Sequence, residues 1–358
     1  MKKIRIVLTL LMIGITIIGC GKKKEIVEEN TEVVTQPPVI EEPVEVVETH
    51  EDEVVSDLTG DWINKENENK RPYAIVFNNI EYASPQSGIG DAAILYEALV
   101  EGGITRLMGI YEDFNLERIG SVRSARHYFV SFADEYDAIF VHYGHTKYAT
   151  AKIESLGVNN LSGLSGIGTT VFYRDNGIKA PHNAFASTKG ILEGTKKLGY
   201  RTEHKEDFET GHFNFNEEDT DINTDAVADK ITLKYSNITT PYLEYHSDDK
   251  LYYRYQYNTP HIDKTTGKQL AFKNIIIQLV KEWNIDKNGY QTMDIENSSG
   301  TGYYITNGKM KEITWQKNEG TKKMHYYDAD GKVLSINPGK TFISVYPNDK
   351  VEGLKFTK

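Results

Sequence analysis

The stretch Arg71-Pro72-Tyr73-Ala74-Ile75-Val76-Phe77-Asn78-Asn79-Ile80 decides how the folded part is read. Tyr73 to Phe77 is an unbroken apolar run, rich in aromatic and β-branched residues, directly after a proline. That combination predicts a buried strand over 73–80. Working outward, Thr105–Tyr111 (TRLMGIY) and Asp137–Tyr143 (DAIFVHY) have the same character. Ser124–Tyr136, with Phe129, Phe132 and Ala133 on one side, and Lys147–Leu156 suit helices. Asp91–Val100 carries apolar residues at Ala92, Leu95, Ala98 and Leu99, which predicts a short helix stopped by Gly102-Gly103. Strands alternating with helices over 68–200 imply an α/β domain with a central sheet.

Residues 201–227 are polar and acidic and read as a connection. Beyond them strand patterns dominate, at Ile231–Tyr235, Leu251–Tyr257, Asn274–Val280, Gly302–Thr306 and Lys311–Gln316. Turn signals punctuate them at Asn307-Gly308 and Asn337-Pro338-Gly339. The expected fold class is therefore α+β or α/β: an N-terminal α/β domain followed by a smaller β-rich C-terminal domain over 228–358. Tyr252, Tyr253, Tyr255 and Tyr257 are expected to cover a sheet face.

The N-terminus reads as an address. Lys2, Lys3 and Arg5 precede an apolar stretch from Ile6 to Ile18, too short to span a bilayer. It ends in Ile17-Ile18-Gly19-Cys20, which resembles a bacterial lipobox, and Cys20 is the chain's single cysteine. Residues 1–19 are thus expected to be a lipoprotein signal peptide. Cys20 would be the lipidated residue, anchoring the chain to the outer face of the cell membrane with palmitate-type acyl chains. With that thiol acylated, Cys nucleophiles and thiolate ligands are excluded. Residues 25–57 hold twelve acidic side chains and no Lys or Arg, with Pro37, Pro38 and Pro43. Residues 20–67 are read as a self-repelling, flexible tether.

The net charge of −11 belongs mostly to that tether. Residues 58–358 carry only −5, so the folded part is close to balanced. Nucleic acid is not an expected partner, because phosphate neutralisation needs a basic surface.

Familiar catalytic motifs are missing: there is no Walker loop, no His-Glu-x-x-His and no Gly-x-Ser-x-Gly. Gly88-Ile89-Gly90-Asp91-Ala92-Ala93 matches a relaxed dinucleotide fingerprint, but it lies seven residues past the strand and reads as a turn. The internal signal is arginine placement. Six of nine arginines fall within 71–174, at Arg71, Arg106, Arg118, Arg123, Arg126 and Arg174. Arginine presents a planar fork that matches phosphate or carboxylate. Ser121-Val122-Arg123-Ser124-Ala125-Arg126-His127 places two of them at a helix start that Ser124 would cap. The expected anion site is Arg106, Arg123, Ser124 and Arg126. The competing reading pairs these arginines with Glu97, Glu101, Asp134 or Glu135. His142, His182 and Asn183 are ligand-orienting or catalytic candidates, and the spacing of His142 and His145 gives no metal site.

Several stretches resemble the YerB-like lipoprotein family: Arg71-Pro72, Pro85-Gln86-Ser87-Gly88, Tyr96 to Arg106 (YEALVEGGITR), Val122 to Arg126 and Ala180-Pro181-His182-Asn183. In the second half Glu312-Ile313-Thr314-Trp315, Tyr327 to Lys332 (YDADGK) and Asn337-Pro338-Gly339-Lys340-Thr341 match the same family's pattern. The resemblance covers about residues 68–350 and implies a surface lipoprotein in two parts, with no reaction to carry over. The order of TRLMGIY, Arg123 and Arg126 also resembles the LytR-CpsA-Psr phosphotransferases, although their Arg-Asp pair after a proline is absent.

The leading expectation is an envelope-facing lipoprotein that binds the phosphate or carboxylate of a cell-wall or lipid-linked glycan. A phosphotransferase or hydrolase on that ligand is the alternative, with Mg²⁺ the one cofactor it would need. A scaffold for envelope proteins is the third.

Overall fold

The computed structural model describes residues 50–318 and 322–358. Cys20, the signal and most of the expected tether lie outside the described residues. The last stretch assigned to the tether is folded: β1 (Glu53–Val55) and β2 (Trp62–Asn64) pair as a hairpin, and Leu58 between them is buried.

The chain then runs through β3 (Tyr73–Asn79), β4 (Ile94–Leu99), β5 (Thr105–Tyr111), β6 (Ile119–Gly120), α1 (His127–Glu135), β7 (Ile139–His142), α2 (Lys147–Leu156) and β8 (Asn160–Ser162). It continues through α3 (Gly168–Val171), β9 (Phe172–Arg174), β10 (Ala184–Ala186) and α4 (Thr188–Lys197). The expected helix over 91–100 is a strand. Ile94, Tyr96 and Ala98 point into one core, and Leu95 and Leu99 into the opposite one. A strand buried on both faces is apolar at nearly every position, so helical and strand spacing both fit it.

The second half supplies β11 (Asn214–Phe215), β12 (Lys230–Leu233), β13 (Tyr242–His246), β14 (Leu251–Gln256), β15 (Thr259–Pro260), β16 (Ala271–Phe272) and β17 (Asn274–Val280). It ends with β18 (Glu282–Asn284), β19 (Gln291–Met293), β20 (Ser298–Thr306), β21 (Lys309–Lys317), β22 (Met324–Tyr327), β23 (Ser335–Ile336), β24 (Thr341–Pro347) and β25 (Leu354–Thr357).

Both halves enter one ten-stranded sheet, in the order β22-β21-β20-β17-β24-β4-β5-β3-β7-β8. The seam is the parallel pair β24–β4, with Phe342 opposite Leu95. It is a mixed sheet, with parallel pairs at β17–β24–β4 and β3–β7–β8 and antiparallel pairs elsewhere, and the N-terminal part is more β-rich than the α/β reading implied. One face is covered by α1 through Tyr128, Phe129 and Phe132. The other is covered by α3, α4 and the smaller sheet β15-β14-β13-β12-β25. Tyr252 faces inward and is fully buried, while Tyr253 and Tyr255 lie on the half-exposed outer side, the alternation of a covering sheet. Among the described residues no helix is long and apolar enough to cross a membrane, and no three His, Cys, Asp or Glu stand together as metal ligands.

Candidate functional site

Strand β3 ends in Asn78-Asn79, and Asn78 lies opposite Arg106 of β5 in register. The segment after β6 folds back along β3, with Val122 bridging Phe77. This brings residues 121–126 beside Arg106. A third strand, β10, pairs with β6 and β9 and brings in Pro181, His182 and Asn183 from the loop before it.

Within that cluster the arginines differ. Arg126 forms a two-pronged pair with Glu101, its Nε 2.8 and 2.9 Å from the two carboxylate oxygens. Burial pushes the Glu101 carboxyl up, but the Arg126 guanidinium bonded to it holds it below its ordinary value. Arg106 is buried and donates through Nη1 to Ser124 O at 2.8 Å, and its Nε has no partner. Burial, with Arg126 and Arg123 nearby, pushes it down to about 9. Arg123 donates through Nη1 to Pro181 O at 3.0 Å, and its Nε is buried without a partner. Among the described residues no carboxylate lies within ion-pair distance of Arg123. Burial lowers it, and its charged neighbours, Arg126 and Arg174, lower it further.

Ser124 does not cap α1. The N-cap is Arg126, without a side-chain bond, and Ser124 Oγ donates to Tyr143 O at 3.3 Å. The Ser124 carbonyl instead anchors Arg106 and Arg126. His142 also moves out of the site. It is fully buried, with Nδ1 2.7 Å from Gly144 O and Nε2 3.1 Å from Asn160 Oδ1, and burial pushes it down to about 4. It ends β7 with both ring nitrogens taken up inside the fold, which withdraws it from the surface.

His182 stays at the surface. Asn78 Nδ2 donates to its Nδ1 at 2.9 Å, which leaves the ring proton of the neutral form on Nε2. Burial lowers its pKa, and Arg123 and Lys179 add to the effect. It lines a cavity of about 210 Å³ with Tyr82, Arg118, Ser121, Phe185 and Lys264. Ser121 Oγ is buried there without a partner. Arg118 is held by Asp175 at 2.6 Å and lies over the Phe185 ring. Asn183 Oδ1 accepts from Arg174 Nη1 at 2.7 Å. Arg174 lies over the Tyr143 ring and lines a second cavity of about 400 Å³ with Gly163, Phe172 and Tyr173.

Of the expected residues, Arg106, Arg123, Arg126, His182 and Asn183 therefore share one region, with only Arg123 carrying uncompensated charge at its surface. Arg174, Ser121, Tyr82 and Lys264 were not foreseen as part of it. Arg174 was in the arginine-rich stretch, but its closeness to Asn183 depends on the β9–β10 pairing, nine residues apart in sequence.

Residues 58–201 match the family described as "Protein of unknown function (DUF3048) N-terminal domain", and residues 231–343 match its C-terminal domain. The chain is 34% identical over 293 residues to the protein described as "Putative lipoprotein YerB" of Bacillus subtilis (strain 168), covering 81% of this chain and 86% of that protein. It is also similar to the crystal structure of YerB protein from Bacillus subtilis. The TM-score is 0.75 at 30% identity, covering 85% of this chain and all of that one.

Proposed function

The chain belongs to the two-part DUF3048 family, and from that premise we propose that it is an extracytoplasmic lipoprotein binding an anionic group of an envelope glycan at Arg123. Cys20 after the apolar stretch, and the lipoprotein description of the Bacillus relative, support anchoring at the outer face of the cell membrane. The acidic stretch before the hairpin would give the folded body reach above that surface.

One observation carries the binding site: Arg123 is a half-buried cation whose charged neighbours are other arginines. A buried guanidinium nitrogen without an acceptor is costly to leave unmade, by about 1–3 kcal/mol or more. An incoming phosphate or carboxylate oxygen would repay that cost. The Nε–H of His182 and the hydroxyl of Ser121 would offer further donors beside it.

Inorganic pyrophosphate, titrated into the full chain in detergent, is expected to bind measurably by calorimetry. Arg123→Ala is expected to weaken it roughly tenfold or more, the loss of one charge-assisted contact. The circular dichroism spectrum should stay unchanged. Equal affinity in both proteins would remove the reading.

A further inference from the structure

We infer that the anion read at Arg123 is an internal phosphodiester of a glycan or polyol polymer, not a terminal phosphate or a carboxylate. This rests on the reading of Arg123 as the anion contact and names the ligand class of that same site.

The tripeptide Pro181-His182-Asn183 links Arg123 to residues of two cavities. Its first residue holds Arg123 by the carbonyl, 3.0 Å from Nη1. Its second lines the cavity of about 210 Å³. Its third holds Arg174, which lines the cavity of about 400 Å³. The register sets the two cavities next to each other, because Phe185 of the smaller lies opposite Tyr173 of the larger. Arg123 therefore lies near a residue of each cavity, His182 of the smaller and Arg174 of the larger.

Each cavity also presents an exposed aromatic ring. Tyr82 is 59% exposed and meets His182 edge-on, with centroids 5.6 Å apart. Tyr173 is 41% exposed and stacks on Phe185. An aromatic face with polar groups around it suits the mixed apolar and hydroxyl surface of a sugar or polyol. Pockets for drug-sized ligands run to roughly 300–1,000 Å³; one cavity, at about 210 Å³, is below that range and the other, at about 400 Å³, is at its low end, so one small unit suits each.

A terminal phosphate carries about −1.5 to −2, whereas a diester carries one negative charge. Arg118 and Arg126 are already neutralised by Asp175 and Glu101, which leaves Arg123, Arg174 and Lys264 as the cations around the two cavities, so the preference for a diester rests on the flanking cavities and not on charge. A nucleic acid is also a phosphodiester, but its binding draws on several neutralised phosphates, and the folded part is net acidic.

The test compares glycerophosphoglycerol, a diester, with glycerol 3-phosphate, a monoester, by calorimetry on the full chain in detergent. The diester is expected to bind roughly tenfold tighter despite its smaller charge, about the gain from one well-placed aromatic contact. Tyr82→Ala and Tyr173→Ala are each expected to move the diester affinity toward that of the monoester. A monoester that binds as tightly as the diester overturns the inference and leaves anion binding intact. The same holds if pyrophosphate binds and the diester does not. An oligothymidylate that binds as tightly as the diester overturns the glycan class. If none of these ligands binds, both readings fall.

Discussion

Arg71, Arg118 and Arg126 each meet a carboxylate, at Asp137, Asp175 and Glu101, while Arg123 meets only a carbonyl. The sequence shows six arginines alike; which of them is uncompensated depends on partners 25 to 66 residues away. Glu97, one expected partner, goes instead to Arg254 of the second half. Glu112 shows the same dependence on distant residues. It lies just after β5 and accepts from Ser56 Oγ of the hairpin at 2.6 Å. Burial pushes its carboxyl up to about 7, and Asp57, Asp113 and Asp61 add to the rise against the Ser56 bond. Between about pH 4.5 and 7 the folded protein keeps a proton that the unfolded chain has released. Stability therefore falls as pH rises through that window, by on the order of 3 kcal/mol from this group. Urea unfolding at pH 5 and pH 8 is expected to show Glu112→Gln gaining stability relative to the parent at the higher pH. Parallel curves for the two proteins would contradict this.

At the scale of elements, β3, β5, β17, α1 and α2 were legible because their patterns are long and their ends are marked. Helix α2 runs over Lys147–Leu156 as read, capped by Thr146 and closed by Gly157 in the left-handed region. Strand β4 was misread because burial on both faces erases the period-two signal. Close contacts between strands are likewise invisible in a pattern. A Cβ on Gly302 of β20 would stand 2.2 Å from Ile277 O of β17. Gly302→Ala should force these two strands apart and cost roughly 1–3 kcal/mol, the range for overpacking. Thermal melting would show it against Gly166→Ala, where an added Cβ meets nothing within 4 Å and little change is expected.

Across the whole molecule, the two family parts are joined by β24 lying against β4 and by a fully buried ion pair, Arg254 Nη2 to Glu97 Oε2 at 2.8 Å. His261 links Arg254 to Gln86, whose Nε2 donates to Asn78 O at 2.7 Å. The bonds thus run from the second part to the strand residue that orients His182. A continuous sheet predicts one cooperative unfolding transition in calorimetry for the folded body. Arg254→Ala, which strands a buried carboxylate, should lower its stability by about 3–5 kcal/mol. Two separate transitions in the parent protein would refute that union. The sequence by itself determined the longer strand and helix patterns, the acidic stretch and the family, because these rest on neighbours within a few residues. The tertiary structure alone decided that both parts share one sheet, that His142 and Ser124 bond within the fold, and that Arg123 meets no carboxylate among the described residues. Pairing across strands, and whether a charge finds its counter-charge, depend on residues that only folding brings together.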